Sequence, residues 1–169
     1  STIHERIIAI DAITDQTEAR QIPIIITSIH AMAQATIAKE VFRKARHQLY
    51  VGQTVQMNTL VQYWISIGYR VEGITQTPGT ISRRGGILDI FSPGYDGPIR
   101  VELFGDKIES IRFFDPSTQI SIGSTDNITI LPVQESLTSL IDKNNIRDFY
   151  KNLDFSNCNQ FVKSRIEEE

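Results

Sequence analysis

Between Tyr69 and Leu131 the chain switches to a hydrophobic period of two. Apolar residues alternate with polar ones in short runs, 69–74, 79–83, 86–91, 98–104, 107–114 and 127–131. The runs are separated by Pro78-Gly79, Gly85-Gly86 and Gly94-Tyr95-Asp96-Gly97-Pro98. A period of two marks strands with one buried face, and paired Gly and Pro residues supply the backbone angles of tight turns. Such strands fold into an antiparallel sheet whose apolar face needs a cover. The preceding segment provides one: Leu60, Val61, Trp64, Ile65 and Ile67 recur at helical spacing. Asn58 is placed to cap that helix, and Gly68 to end it in the left-handed conformation. The expected fold class is therefore α+β, an antiparallel sheet module with a covering helix.

The flanks have a different texture. Ile3, Ile7, Ile10 and Ile13 predict an amphipathic helix over 3–14, Ser28 can cap a short helix over 29–35, and Lys39–Lys44 reads as helical. Ile22-Pro23-Ile24-Ile25-Ile26 is uniformly apolar and predicts a strand buried on both faces, as in a partial α/β domain. Past Pro132 helices are expected over 136–142, 145–153 and 159–168. Three segments result: a partial α/β flank at 1–47, a compact α+β insert at 48–133, and a helical return at 134–169. Both ends read as cut, so a fragment of a longer protein is expected.

Catalytic chemistry is not visible. The chain has no G-x-x-x-x-G-K-[ST] phosphate loop, no G-x-S-x-G elbow, and its three histidines, His4, His30 and His47, have no ligand spacing. Cys158 stands alone, which excludes an internal disulfide or a cysteine-rich metal site and suits a reducing compartment. A net charge of −3 gives no global field for nucleic acid. No apolar run has membrane-helix length and no signal-peptide pattern opens the chain, so a cytoplasmic protein without a catalytic, cofactor or metal site in this chain is expected.

The run 99–112 carries more information. Phe104-Gly105-Asp106-Lys107 predicts a two-residue type II′ hairpin turn. In that register Ile99, Val101, Leu103 and Ile108 face the core, while Arg100, Glu102, Phe104, Lys107 and Glu109 face outward, with Glu102 opposite Glu109. An aromatic ring on a charged face departs from the pattern, and arginine beside an aromatic is the composition of an interface hot spot. Two readings stand side by side. Phe104 closes the end of the sheet while Arg100 pairs with Glu102 or Glu109 in solvent, or ring and guanidinium stand free for a partner. Arg83 and Arg84 likewise read as a solvated turn or as a planar fork for a partner carboxylate.

Taken together, Tyr69-Arg70-Val71-Glu72, Pro78-Gly79-Thr80, Arg84-Gly85-Gly86-Ile87-Leu88-Asp89-Ile90-Phe91, Arg100-Val101-Glu102-Leu103-Phe104-Gly105-Asp106 and Ile108-Glu109-Ser110-Ile111-Arg112 form a specific block. It resembles domain 2 of the bacterial transcription-repair coupling factors (Mfd), a module shared with the excision-repair subunit UvrB. Arg-Gly-Gly instead of Arg-Gly-Asp, and the lack of a Tyr-Gly-Leu-Gly stretch, favour the coupling factor; the alternative is the equivalent region of UvrB, contacting UvrA and DNA through Arg83, Arg84 and Arg112. The resemblance implies a UvrB domain 2-like module flanked by pieces of domain 1, a helicase-like domain without a working nucleotide site. It implies recruitment of the protein UvrA through Arg84, Arg100 and Phe104. It also implies that the motor using ATP and Mg²⁺, and the contacts to RNA polymerase and duplex DNA, belong to parts of the parent outside this chain. A C-terminal domain of that parent is a further partner, able to mask the same surface. Leu103 departs from the pattern of many relatives, which carry phenylalanine there; inward-facing, it should alter packing and leave recruitment unchanged.

Overall fold

The computed structural model describes residues 2–14, 24–135 and 137. Its helices are α1 (Thr2–Thr14), α2 (Ile29–Ala33), α3 (Lys39–Ala45) and α4 (Met57–Ser66). The strands are β1 (His47–Tyr50), β2 (Arg70–Val71), β3 (Thr80–Arg84), β4 (Ile87–Ile90), β5 (Ile99–Phe104), β6 (Lys107–Phe114), β7 (Ser121–Ser124) and β8 (Asn127–Ile130). A six-stranded sheet runs in the order β2-β3-β4-β5-β6-β7, antiparallel except where β2 lies parallel to β3. The α+β class expected from the alternating runs is the one observed. β7 was not foreseen, because Ser121-Ile122-Gly123-Ser124 lies at the sheet edge with every residue exposed and so carries no alternation.

Helix α4 covers the apolar face. Leu60, Trp64 and Ile67 are buried with Ile81, Leu88, Ile90, Ile99, Val101, Ile108 and Ile111 in one core, whereas Ile65, also expected inside, is exposed. The helix ends as the sequence predicts. Gly68 takes φ +104, its N–H donates to the Ile65 carbonyl at 3.0 Å, and the Tyr69 N–H donates to that of Trp64 at 3.0 Å, a Schellman termination. The start differs. The cap position is Gln56, and Asn58 lies inside the first turn, where its Oδ1 accepts from Arg83. Because the Val55 N–H is held by the Asp106 carbonyl at 2.7 Å, the chain is anchored early enough for the helix to begin at Met57.

Strands β1 and β8 pair separately, His47 opposite Ile130 through Tyr50 opposite Asn127, so the two ends of the sheet-bearing segment lie side by side. Buried polar contacts lock that closure. The Tyr69 hydroxyl donates to the Leu131 carbonyl at 2.7 Å, the Leu131 N–H to Ser92 Oγ at 3.0 Å, and the Thr129 N–H to the Tyr95 hydroxyl at 2.9 Å. Trp64 Nε1 donates to Nδ1 of His47 at 3.3 Å; burial lowers the pKa of this histidine and so favours the neutral ring that can accept.

The N-terminal flank is helical where described. Ile7 of α1 packs with Phe42 of α3 and with Leu131, and Ser28 caps α2 by accepting from the Ala31 N–H, as predicted. The expected strand at 22–26 is not formed in its described part: residues 24–27 have no regular structure, and Ile24 and Ile26 are 92% and 95% exposed. An apolar run becomes a buried strand only when neighbours complete its ladder, and among the described residues no strand pairs with it. The helices expected over 136–142, 145–153 and 159–168, and Cys158, lie outside the described residues. Among the described residues no helix is long and apolar enough to cross a membrane.

The second glycine of Arg84-Gly85-Gly86 is set by close approach. A Cβ on Gly86 would lie 2.7 Å from the Leu103 carbonyl oxygen, a backbone atom of the residue whose N–H donates to the Gly86 carbonyl at 2.8 Å. Gly86→Ala is expected to lower stability by about 1–3 kcal/mol, the range for overpacking a well-fitted site. Urea unfolding followed by Trp64 fluorescence measures it.

Candidate functional site

The face of the sheet turned away from α4 is charged. Across it the register sets Ser82, Asp89, Arg100 and Arg112 in one row and Arg84, Ile87, Glu102 and Ser110 in the next. Asp89 sits inside the apolar run Ile87–Ile90, and strand alternation turns it onto this face. Its side chain is only 2% exposed. A carboxylate at that depth needs cationic partners. Arg100 supplies a bidentate fork, Nε to Oδ1 at 2.7 Å and Nη2 to Oδ2 at 2.8 Å, and Arg84 adds Nη2 to Oδ2 at 3.0 Å.

Arg100 is held on further sides. Its guanidinium carbon lies 4.4 Å from the centroid of the Phe114 ring, and Nη2 also donates to Gln119 Oε1 at 3.0 Å. Hydrogen bonding to Asp89 raises its pKa still further, so the cation is permanent. Arg112 is directly opposite Arg100, and the repulsion is relieved because each arginine has its own carboxylate: Asp89 for Arg100, Glu102 for Arg112.

These contacts correct three expectations. Arg100 does not pair with Glu102 or Glu109 and does not stand idle in solvent; it is 13% exposed and bound to a buried acid. Glu102 does not oppose Glu109, because a register shift between Glu102 and Leu103 sets it opposite Ser110, whose hydroxyl donates to it at 2.8 Å. Arg83 is neither in a solvated turn nor a fork held free for a partner; it stands exposed on β3 and donates to Asn58 on α4.

Phe104 lies where alternation predicts, 82% exposed on the same face as Arg100 and Glu102, while Leu103 packs inward against the core. Gly105 takes φ +61 and Asp106 has no positive φ, the pattern of a type II′ turn. The hairpin is braced from outside. The Gly52 N–H donates to the Ile108 carbonyl at 2.8 Å and the Ile108 N–H to that of Gln53 at 2.9 Å. Beside the ring runs a shallow groove lined by Val51, Gly52, Phe104, Lys107, Ile108 and Glu109. A rigid base with an exposed ring loses little entropy when covered.

Arg84, Arg100 and Phe104 thus share one face. Strand geometry separates Arg100 from Phe104 by about 13 Å along β5 and Arg84 from the level of Glu102 by about 10 Å across two strands. Arg84 is half exposed. Among the described residues Nη1 of Arg100, and Nε and Nη1 of Arg84, have no acceptor. The ensemble of two guanidiniums and one carboxylate carries a single net positive charge, with donors left over for a planar acceptor. Sequence reasoning passed over Asp89, Phe114 and Gln119; the signal was there for Asp89, a lone acid in an apolar strand beside an arginine-bearing one.

Residues 48–135 match the family described as UvrB interaction domain. The chain belongs to that family. Arg84, Asp89, Arg100, Phe104 and Gln119 all fall inside the matched residues. The chain is also similar to a transcription-repair-coupling factor of Myxococcus xanthus, 34% identical over 71% of this chain and 10% of the relative. One from Bacillus subtilis is 31% identical over 67% of this chain and 10% of the relative. The UvrABC system protein B of Thermosipho africanus is 30% identical over 69% of this chain and 17% of the relative. The chain therefore spans a small share of each relative's length, and the matched interaction domain is the part whose geometry is described above.

The loop after β6 completes the site. Asp115 Oδ1 accepts from the Ser117 hydroxyl and from the N–H groups of Ser117 and Thr118, both at 2.8 Å. Led by the Ser117 hydroxyl, these bonds pull its pKa from 3.8 to about 2. The folded-state value lies below the unfolded one, so this cap contributes above about pH 4 and is lost as pH falls through about 2. Amide NMR shifts of Ser117 and Thr118 are expected to titrate in that window, and Asp115→Asn to abolish the transition. The ion pairs give a second test. Arg100→Ala or Asp89→Ala, each of which breaks a buried pair, is expected to cost about 3–5 kcal/mol in urea unfolding. Arg84→Ala should cost about 1 kcal/mol or less, and Phe104→Ala should stay within about 0.5 kcal/mol of the parent.

Proposed function

We propose that this chain is a non-catalytic protein-interaction module of a transcription-repair coupling factor, and that it recruits the excision-repair protein UvrA. Residues 48–133 form the recruitment module in this reading, and 1–47 and 134–169 belong to the flanking domain 1. The single observation that carries it is Phe104, an exposed ring on a braced hairpin that shares its face with two guanidiniums oriented by Asp89. The family match and the coupling-factor relatives support the same reading. The parent acts in the cytoplasm as an ATP-dependent translocase, and RNA polymerase and duplex DNA are engaged by its other parts.

The three residues have distinct roles. Phe104 is the apolar anchor, Arg84 is the half-exposed donor, and Arg100 is a fixed donor whose Nη1 edge alone is free for a partner. A carboxylate is the acceptor these donors fit best. DNA contact through Arg83, Arg84 and Arg112 is the weaker reading, because Arg83 and Arg112 are engaged by Asn58 and Glu102 and a net charge of −3 gives the chain no general attraction for phosphates.

Isothermal titration of purified UvrA into the 169-residue chain tests the proposal. Phe104→Ala is expected to weaken binding by about 2 kcal/mol, roughly 30-fold, the size of an interface hot spot. Arg84→Ala should weaken it by about tenfold, as for loss of a charge-assisted hydrogen bond. Undiminished affinity in both folded variants would overturn the assignment.

A further inference from the structure

Gln119 is the only non-glycine residue with positive φ among the described residues, at φ 63. Side chains with a Cβ are disfavoured in that region, and such conformations persist where the surroundings demand them. Glycine or asparagine would satisfy the turn more easily. What glutamine adds is reach. Its Nε2 donates to the Pro116 carbonyl of its own loop at 2.9 Å, and its Oε1 accepts from Arg100 Nη2 at 3.0 Å. Its backbone N–H is held by the Asp115 carbonyl at 2.8 Å, which ties it to the Asp115-capped turn.

Arg100 is thereby held on one face and at every donor but Nη1. The Phe114 ring takes a face of the guanidinium, Asp89 takes the Nε and Nη2 edge, and Gln119 takes the second Nη2 hydrogen. Both hydrogens of Nη1 are left over. We infer that Gln119 is a positioning residue of the docking surface: it clamps the Arg100 guanidinium so that Nη1 is presented to a partner acceptor. This deepens the UvrA-docking reading and rests on it.

The test uses the 169-residue chain and purified UvrA, with folding of every variant checked by circular dichroism. Gln119→Asn keeps a residue that tolerates the left-handed turn but is too short to reach Arg100. It is expected to lower affinity about fivefold, the net worth of a typical hydrogen bond. In an Arg100→Lys background, where the planar fork is gone, the same substitution should change affinity by less than about twofold, because its effect is transmitted through Arg100. A fivefold loss that persists in that background would show that Gln119 acts independently of Arg100 and would overturn the inference. So would full affinity in Gln119→Asn while Phe104→Ala binds weakly. Full affinity in Phe104→Ala as well removes the docking face itself, and the role of Gln119 with it.

Discussion

The buried carboxylate of Asp89 is the interaction on which the charged face of this domain depends. An acid at 2% exposure in a strand is tolerable only when cations reach it. That requirement places Arg100 on the neighbouring strand β5 and draws Arg84 back from the far end of β3. Phe114 lies beneath Arg100 and Gln119 beside it, and both contacts hold its guanidinium. A surface that resembles loose charges in the sequence is a single network with a direction, because each guanidinium has one side spent inward and another facing solvent.

Rigidity distinguishes the aromatic part of the face from an ordinary hairpin tip. The β5–β6 turn has its own type II′ geometry, and the 51–55 segment is bonded along its outer side. The same segment leads into α4, whose Trp64 and Leu60 cover the opposite side of the sheet. Exposed ring, hairpin, edge segment and covering helix are therefore mechanically continuous. The pairing of β1 with β8 closes this unit at its base.

Much of this was legible from residue order. The strands at 80–84, 87–90, 99–104 and 107–114, the covering helix and its Gly68 end, the inward Leu103 and the outward Phe104 all follow from period, turn chemistry and alternation, which are local properties. The failures were non-local. Asn58 has the chemistry of a helix cap, but a contact between Val55 and Asp106 moved the start of the helix. The bulge at Glu102 displaced the expected Glu102–Glu109 opposition. The Ile24–Ile26 run carries strand composition without neighbours to pair with among the described residues.

Residue order alone puts Arg100 and Phe104 on one side of β5, because the two-residue pleat fixes faces within a strand, whereas Arg84 joins them only through the register of β3, β4 and β5. What each is free to do there follows from packing between strands. Asp89 and Arg100 are eleven residues apart in the chain yet adjacent across two strands, and Gln119 reaches Arg100 from a loop beyond a third. Pairings of that kind depend on register and burial, since a carboxylate selects its partner only after water has been removed from around it.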